Sequence, residues 1–132
     1  MAEIVWLLEE AILTIHQRQI AEHGGSGGLR DHGLLTSAIA RPQQLLSYGQ
    51  PSPDLASLAA SYAYGIARNH PFVDGNKRTA LVAARTFLLL NGVNVQAAQV
   101  DKWLTFLQLA AGSLTEEELG YWIRSRMVDQ PD

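Results

Sequence analysis

His70-Pro71-Phe72-Val73-Asp74-Gly75-Asn76-Lys77-Arg78 stands between two long segments of helical period. It therefore reads as a loop that feeds a helix N-terminus. A Gly-Asn turn at a helix start directs backbone N–H groups at an anion, and the helix dipole favours negative charge there. Lys77 and Arg78 add charge that attracts the same anion. His70 is a proton acceptor of the kind used near neutral pH, and Asp74 is a carboxylate of the kind Mg²⁺ takes. One short loop thus offers a base, a metal ligand and a phosphate cradle.

Working outward, the segment after the loop runs as a helix from about Asn76 to Asn91, closed by Gly92 at a left-handed position. After Arg78 it is apolar almost all round, with Arg85 its only later charge. Such a helix is the buried centre of a bundle. The segment before the loop is a helix with Ser52 as N-cap, Pro53 at its first position, and a face of Leu55, Leu58, Ala59, Tyr62, Ala63 and Ile66. Residues 42–53 hold three prolines and a glycine and read as a loop or irregular flap. Ahead of them a short helix spans Asp31 to Arg41, with Asp31 as N-cap and Pro42 as its stop. The first helix runs from about Leu7 to His23, with Leu8, Ala11, Ile12 and Ile15 on one face. Gly24 to Gly28 is then a helix stop and flexible connector.

Beyond Gly92, a fifth helix spans about Ala97 to Ala111. Its apolar face is Val100, Trp103, Leu104, Leu107 and Ala111, and Gly112 ends it. A sixth opens on Thr115 with Glu118 three residues on, a capping box, and presents Leu119, Trp122 and Ile123. No segment alternates like a strand. The expectation is an all-α single domain over residues 1–132, with the last few residues disordered, a helical bundle around the apolar helix that starts at Asn76.

Composition narrows the function. A hydrophobic fraction of 47% over 132 residues supports a real core. A net charge of −3 argues against the broad basic footprint of a nucleic-acid binder. Without cysteine there is neither a disulfide framework nor a zinc–thiolate site. The start Met1-Ala2-Glu3-Ile4-Val5-Trp6 lacks a basic n-region. No apolar run approaches the ~20 residues a bilayer span needs. No membrane association is expected, and the cytoplasm is the expected compartment.

Phosphate transfer needs a base for the attacking hydroxyl, a metal for the nucleotide and preorganised donors for the moving charge. His70, Asp74 and the turn from Gly75 to Arg78 supply all three. Asp74 also fits the N-cap of the helix that follows, and the two roles are compatible in part. His16, His23 and His32 share no metal-ligand spacing with His70 and read as surface residues. Gly24 to Gly28 lacks the strand before and the Lys-Ser/Thr after that a P-loop requires. Arg30 and Arg41 suit either a nucleotide or a carboxylate partner.

The motif resembles the signature of the Fic/Doc superfamily, HxFx[D/E]GN followed by a basic residue. Gly24 to Asp31, Ala40-Arg41-Pro42 and Asn91-Gly92-Val93 resemble the Doc, or death-on-curing, branch, and the likeness covers about residues 4–126. It implies that His70 is the general base, Asp74 the Mg²⁺ ligand and Phe72 the core anchor of the loop. It implies that Gly75 and Asn76 form the anion-binding turn and that Lys77 and Arg78 contact phosphates. Lys77 stands where AMP-transferring relatives usually carry glycine, which implies γ-phosphate transfer from Mg·ATP. Gly75 stands where alanine can occur in death-on-curing toxins. The region around Tyr48 resembles a flap that holds the target segment. The self-inhibitory pattern [S/T]xxxE[G/N] is missing; Ser113 and Glu117 come nearest, but Glu118 follows. The resemblance therefore implies restraint by a separate antitoxin, and a protein target such as elongation factor Tu, with translation arrest. The runners-up are AMP transfer to a protein hydroxyl with the same His70, and a non-catalytic nucleotide- or partner-binding module.

Overall fold

Asp31, Asp54 and Thr115 each place a side-chain oxygen on the backbone N–H three residues ahead, at Leu34 (3.0 Å), Ser57 (2.9 Å) and Glu118 (3.0 Å). Each bond satisfies one donor that a helix start leaves without a partner, and each opens a helix. The computed structural model describes residues 3–130. Met1 and Ala2 at the start, and Pro131 and Asp132, where disorder of the C-terminal end was expected, lie outside the described residues. Among the described residues the helices are α1 (Glu9–His23), α2 (His32–Tyr48), α3 (Leu55–Asn69), α4 (Asn76–Leu90), α5 (Gln99–Ala111) and α6 (Glu116–Arg124). Two short strands, β1 (Val93–Val95) and β2 (Met127–Asp129), pair antiparallel with Asn94 opposite Val128. The fold is all-α apart from this ribbon. Three residues per strand are too few for alternation to stand out in the sequence, so the pair was not expected. No helix is long and apolar enough to cross a membrane.

α4 packs against α1, α3, α5 and β1 in the middle of the bundle. It shares that place with α3, which packs against α2, α4, α5 and α6. α3 can do so because Ala56, Ala59, Ala60, Ala63 and Ala67 are small and buried. A Cβ on Gly65 would stand 3.0 Å from Ala38, so glycine sets the close approach of α2. Tyr62 fills the space between α3 and α4 with its ring 5.1 Å from Phe87, and its hydroxyl accepts from Leu7 N at 3.1 Å. Full burial of an aromatic such as Phe87 contributes roughly 1.5–3 kcal/mol.

Four expectations are corrected. α2 does not stop at Pro42 but runs to Tyr48 with the proline inside it. An internal proline costs about 3 kcal/mol. Burial of Pro42 itself and of Leu45 and Leu46 beyond it offsets that cost. The flap shrinks accordingly to the short stretch after Gly49. α3 starts at Leu55 rather than Pro53, because Asp54 and not Ser52 is the cap. Leu8 precedes α1 and is exposed, while the buried face of α1 is Ile12, His16 and Gln19. α5 buries Thr105, Phe106 and Leu109 and leaves Val100 61% and Leu104 51% exposed. That helix is apolar on two sides, and packing against α3 and α4 selected the one the periodicity did not favour.

Candidate active site

The loop between α3 and α4 departs from helix at His70, which adopts a left-handed conformation, φ 52°. That region is uncommon for a residue with a Cβ, so something must hold it. Arg30 does: its Nε donates to His70 O at 2.7 Å and its Nη2 to Asn69 O at 2.9 Å. These bonds satisfy the last carbonyls of α3, as a basic side chain at a helix C-terminus can. The glycine-rich stretch after α1 lies along the loop. Arg30 N and Asp31 N donate to Pro71 O at 2.7 and 3.0 Å, and Val73 N donates to Gly28 O at 3.1 Å. It is a strap on the site, not a free connector, and Gly24 and Gly25 line the pocket described below.

Phe72 points into the core, 1% exposed. The ring of His16 lies flat against it, with centroids 3.8 Å apart and planes 6° from parallel. His16 Nε2 donates to Asp74 O at 2.8 Å. This corrects the surface reading of His16, which is 4% exposed; His23 and His32 are indeed exposed. Position 16 is one turn from Ile12 on α1, and that spacing was the available signal.

Asn76 closes the loop on itself. Its Oδ1 accepts from Phe72 N at 3.0 Å, and its Nδ2 donates to Phe72 O at 3.0 Å and to His70 Nδ1 at 3.3 Å. Gly75 is the N-cap of α4 at φ 78°, and a Cβ there would meet Ile20 Cδ1 at 3.1 Å. The positive φ favours glycine and Ile20 would have to give way to a Cβ, so alanine at this position would strain this chain.

No side chain caps α4. Its first helical bond is Thr79 N to Gly75 O at 3.0 Å, so the N–H groups of Asn76, Lys77 and Arg78 come before the ladder begins. The Asp74 carboxylate is exposed beside them. Gly75 N donates to its Oδ1 at 2.9 Å and Ser26 N to its Oδ2 at 3.4 Å. Gly25 has φ 113°, where a side chain is strained, and a Cβ there would fall 2.6 Å from that Oδ2 and displace the carboxylate. Lys77 is exposed, and the Arg78 guanidinium lies 4.3 Å above the centre of the Trp103 ring, a cation–π contact reaching across from α5.

His70, Asp74, Gly75, Asn76, Lys77 and Arg78 line one open pocket of about 420 Å³, with Trp103 on its far wall. Phe72 stands behind it. Among the described residues no three His, Cys, Asp or Glu side chains cluster as a metal site. A single carboxylate next to an anion cradle still suits Mg²⁺, which keeps most of its waters and takes one or two carboxylates together with phosphate oxygens. Arg41 lies elsewhere, paired with Glu116 and 4.9 Å over the ring of Tyr64. Burial pushes the Glu116 carboxyl up, and Arg41 opposes that shift. Tyr48 is exposed at the end of α2. Arg30, expected to meet a nucleotide or a carboxylate, instead binds the carbonyls of His70 and Asn69; Gly25 and Trp103 were not singled out as site residues by the sequence.

The model of the Fic/DOC family matches residues 6–88. The chain is 50% identical over 74 residues to a protein named Toxin Doc of Mycolicibacterium smegmatis (strain ATCC 700084 / mc(2)155), a stretch that covers 56% of this chain and 57% of that one. It is 40% identical over 86 residues to a protein named Protein kinase doc of Escherichia phage P1, covering 65% and 68% of the two.

Proposed function

The chain belongs to the Fic/DOC family, and from that premise we propose that it is a Doc-like toxin that transfers the γ-phosphate of Mg·ATP to a protein hydroxyl. The observation that carries this reading is the open start of α4: uncapped N–H groups, Asp74, Lys77 and Arg78 share one pocket with His70. Lys77 and Arg78 sit at the end of a helix where the dipole disfavours cations. An anion between them and the N–H groups turns that unfavourable arrangement into a binding site.

In this reading His70 takes the proton from the attacking hydroxyl. The hydroxyl oxygen forms a bond to the γ-phosphorus, the bond from that phosphorus to the β,γ-bridging oxygen breaks, and ADP leaves. Lys77, Arg78 and the α4 N–H groups bind the phosphate oxygens and stabilise the charge that shifts along them. Asp74 would hold Mg²⁺, which when bound neutralises part of the phosphate charge. Asn76 and Arg30 keep the His70 ring and backbone in place. The names of the two relatives support toxicity and kinase chemistry, an antitoxin partner is part of the same proposal, and the chain spans little more than half the length of the first. A translation factor such as elongation factor Tu is the proposed target.

The test is to supply ATP labelled at the α or the γ position with a translation-factor target. Label from the γ position alone, with the mass of one phosphoryl group on the target hydroxyl, is the expected result. Label from the α position means AMP transfer instead. No label, with tight nucleotide binding, means a binding module.

A further inference from the structure

We infer that His16 is a positioning residue that sets the Asp74–Gly75 peptide, and with it the carboxylate and the helix start on which the proposed phosphoryl transfer rests. Three neighbours in the loop converge on this one imidazole. Phe72 lies flat against its face, Asp74 O takes its Nε2 hydrogen at 2.8 Å, and a Cβ on Gly75 would stand 3.6 Å from its Cδ2 and Nε2. The ring comes from α1, 58 residues away in sequence from the carbonyl it holds. The position of the loop is thereby tied to a helix packed elsewhere in the chain.

The peptide plane explains how the effect reaches the pocket. In a trans peptide the C=O and N–H point in opposite directions. His16 fixes the Asp74 C=O on the buried side, so the Gly75 N–H points to the other side. There it donates to Asp74 Oδ1 at 2.9 Å and orients the exposed carboxylate. Releasing the carbonyl frees the plane to turn, and the Gly75 N–H and the carboxylate it holds turn with it. A carbonyl can only accept, so the hydrogen must be on Nε2; phenylalanine at this position would keep the stack and lose the donor. Glutamine would keep a donor and lose the ring. A histidine that only filled the core would need neither this tautomer nor this carbonyl.

Two substitutions separate these roles. In the ligand-free protein, amide hydrogen exchange over residues 72–77 should rise about tenfold in His16→Phe, the scale of one lost net hydrogen bond. The amides of α3 and α6 should not change. His16→Gln should return the loop to within about threefold of wild type, since its donor replaces the lost one. In phosphoryl transfer, His16→Phe should raise the Mg²⁺ concentration for half-maximal rate about tenfold, again one net hydrogen bond, with a smaller change in rate at saturating Mg²⁺. Unchanged exchange over 72–77 in His16→Phe overturns the inference. So does an equal rise in α3 and α6, which marks His16 as a core residue only. These exchange measurements decide the point even if the wild-type protein transfers no phosphate, a result that would overturn the proposed activity alone.

Discussion

α3 and α4 begin in opposite ways. At the start of α3, Asp54 accepts from Ser57 N and is gripped by Arg124 through Nε at 2.6 Å and Nη2 at 3.0 Å. The Arg124 hydrogen bonds hold its carboxyl well below the ordinary range, at about 2, against partial burial that pushes it up. This is a helix start whose positive end has been answered from within the protein. The start of α4 has a glycine cap, no side-chain acceptor and two cations in its first turn. Here the answering charge has to arrive from outside. α1 and α5 also lack a capping side chain, but each carries acid in its first turn, Glu9 and Glu10 or Asp101; the difference teaches that a start with neither cap nor acid and with two cations in its first turn is the one suited to an outside anion.

The comparison can be broken at several points. The largest effect is expected from His70→Ala, which should lower transfer by about 10²–10⁴ with circular dichroism unchanged; activity within a few-fold of wild type would remove His70 from the reaction. Asp74→Asn keeps the shape and removes the charge. Loss of a charged contact worth ~1.5–3 kcal/mol should raise the Mg²⁺ requirement on the order of tenfold or more, read from Mg²⁺ titrations of rate. An unchanged titration would leave Asp74 a structural acceptor only.

The α3 start should respond in stability instead. Asp54→Ala loses the cap and should lower stability by ~1 kcal/mol in thermal or denaturant melts, with transfer unaffected. Because the folded carboxyl titrates at about 2 and the ordinary value is 3.8, the contribution is fully present above that range and fades as pH falls through about 2. Asp54 and Arg124 are both nearly half exposed, so their pairing itself adds less than ~1 kcal/mol. The stability gap to Asp54→Asn should therefore be constant from pH 5 to 7 and narrow towards pH 2; a gap that widens on acidification would contradict the assignment. The smallest effect sharpens the contrast most. Lys77→Glu gives α4 the charge its dipole favours and should raise stability by ~0.3–1 kcal/mol while nucleotide binding, followed by calorimetry, is lost. Tight binding in that variant would mean the α4 start is not the cradle.

What could be read in the sequence was what lies close together in it. The chemistry of the loop is contiguous from His70 to Arg78, so its residue types announce themselves before any fold is known. The caps at Asp31 and Thr115 and the left-handed Gly92 were equally local. The glycine strap was missed because it acts through backbone bonds to Pro71 O, which no side-chain pattern records. His16 was missed because its partner is a backbone carbonyl 58 residues away in the sequence. Pro42 and α5 were misread for a shared reason: local preference offered one answer, and burial against α3 outweighed it.

The stacking of Arg78 on Trp103 gives this chain its own optical gauge. Phosphate entering the pocket competes with the indole for the guanidinium, so indole emission should change as the anion binds. The other tryptophans, Trp6 against Phe87 and Trp122 under Arg126, have surroundings apart from the pocket. A response to phosphate that disappears in Trp103→Phe locates the signal, and one that survives assigns it elsewhere. Occupancy of the cradle can then be followed by light alone, before any target protein is known.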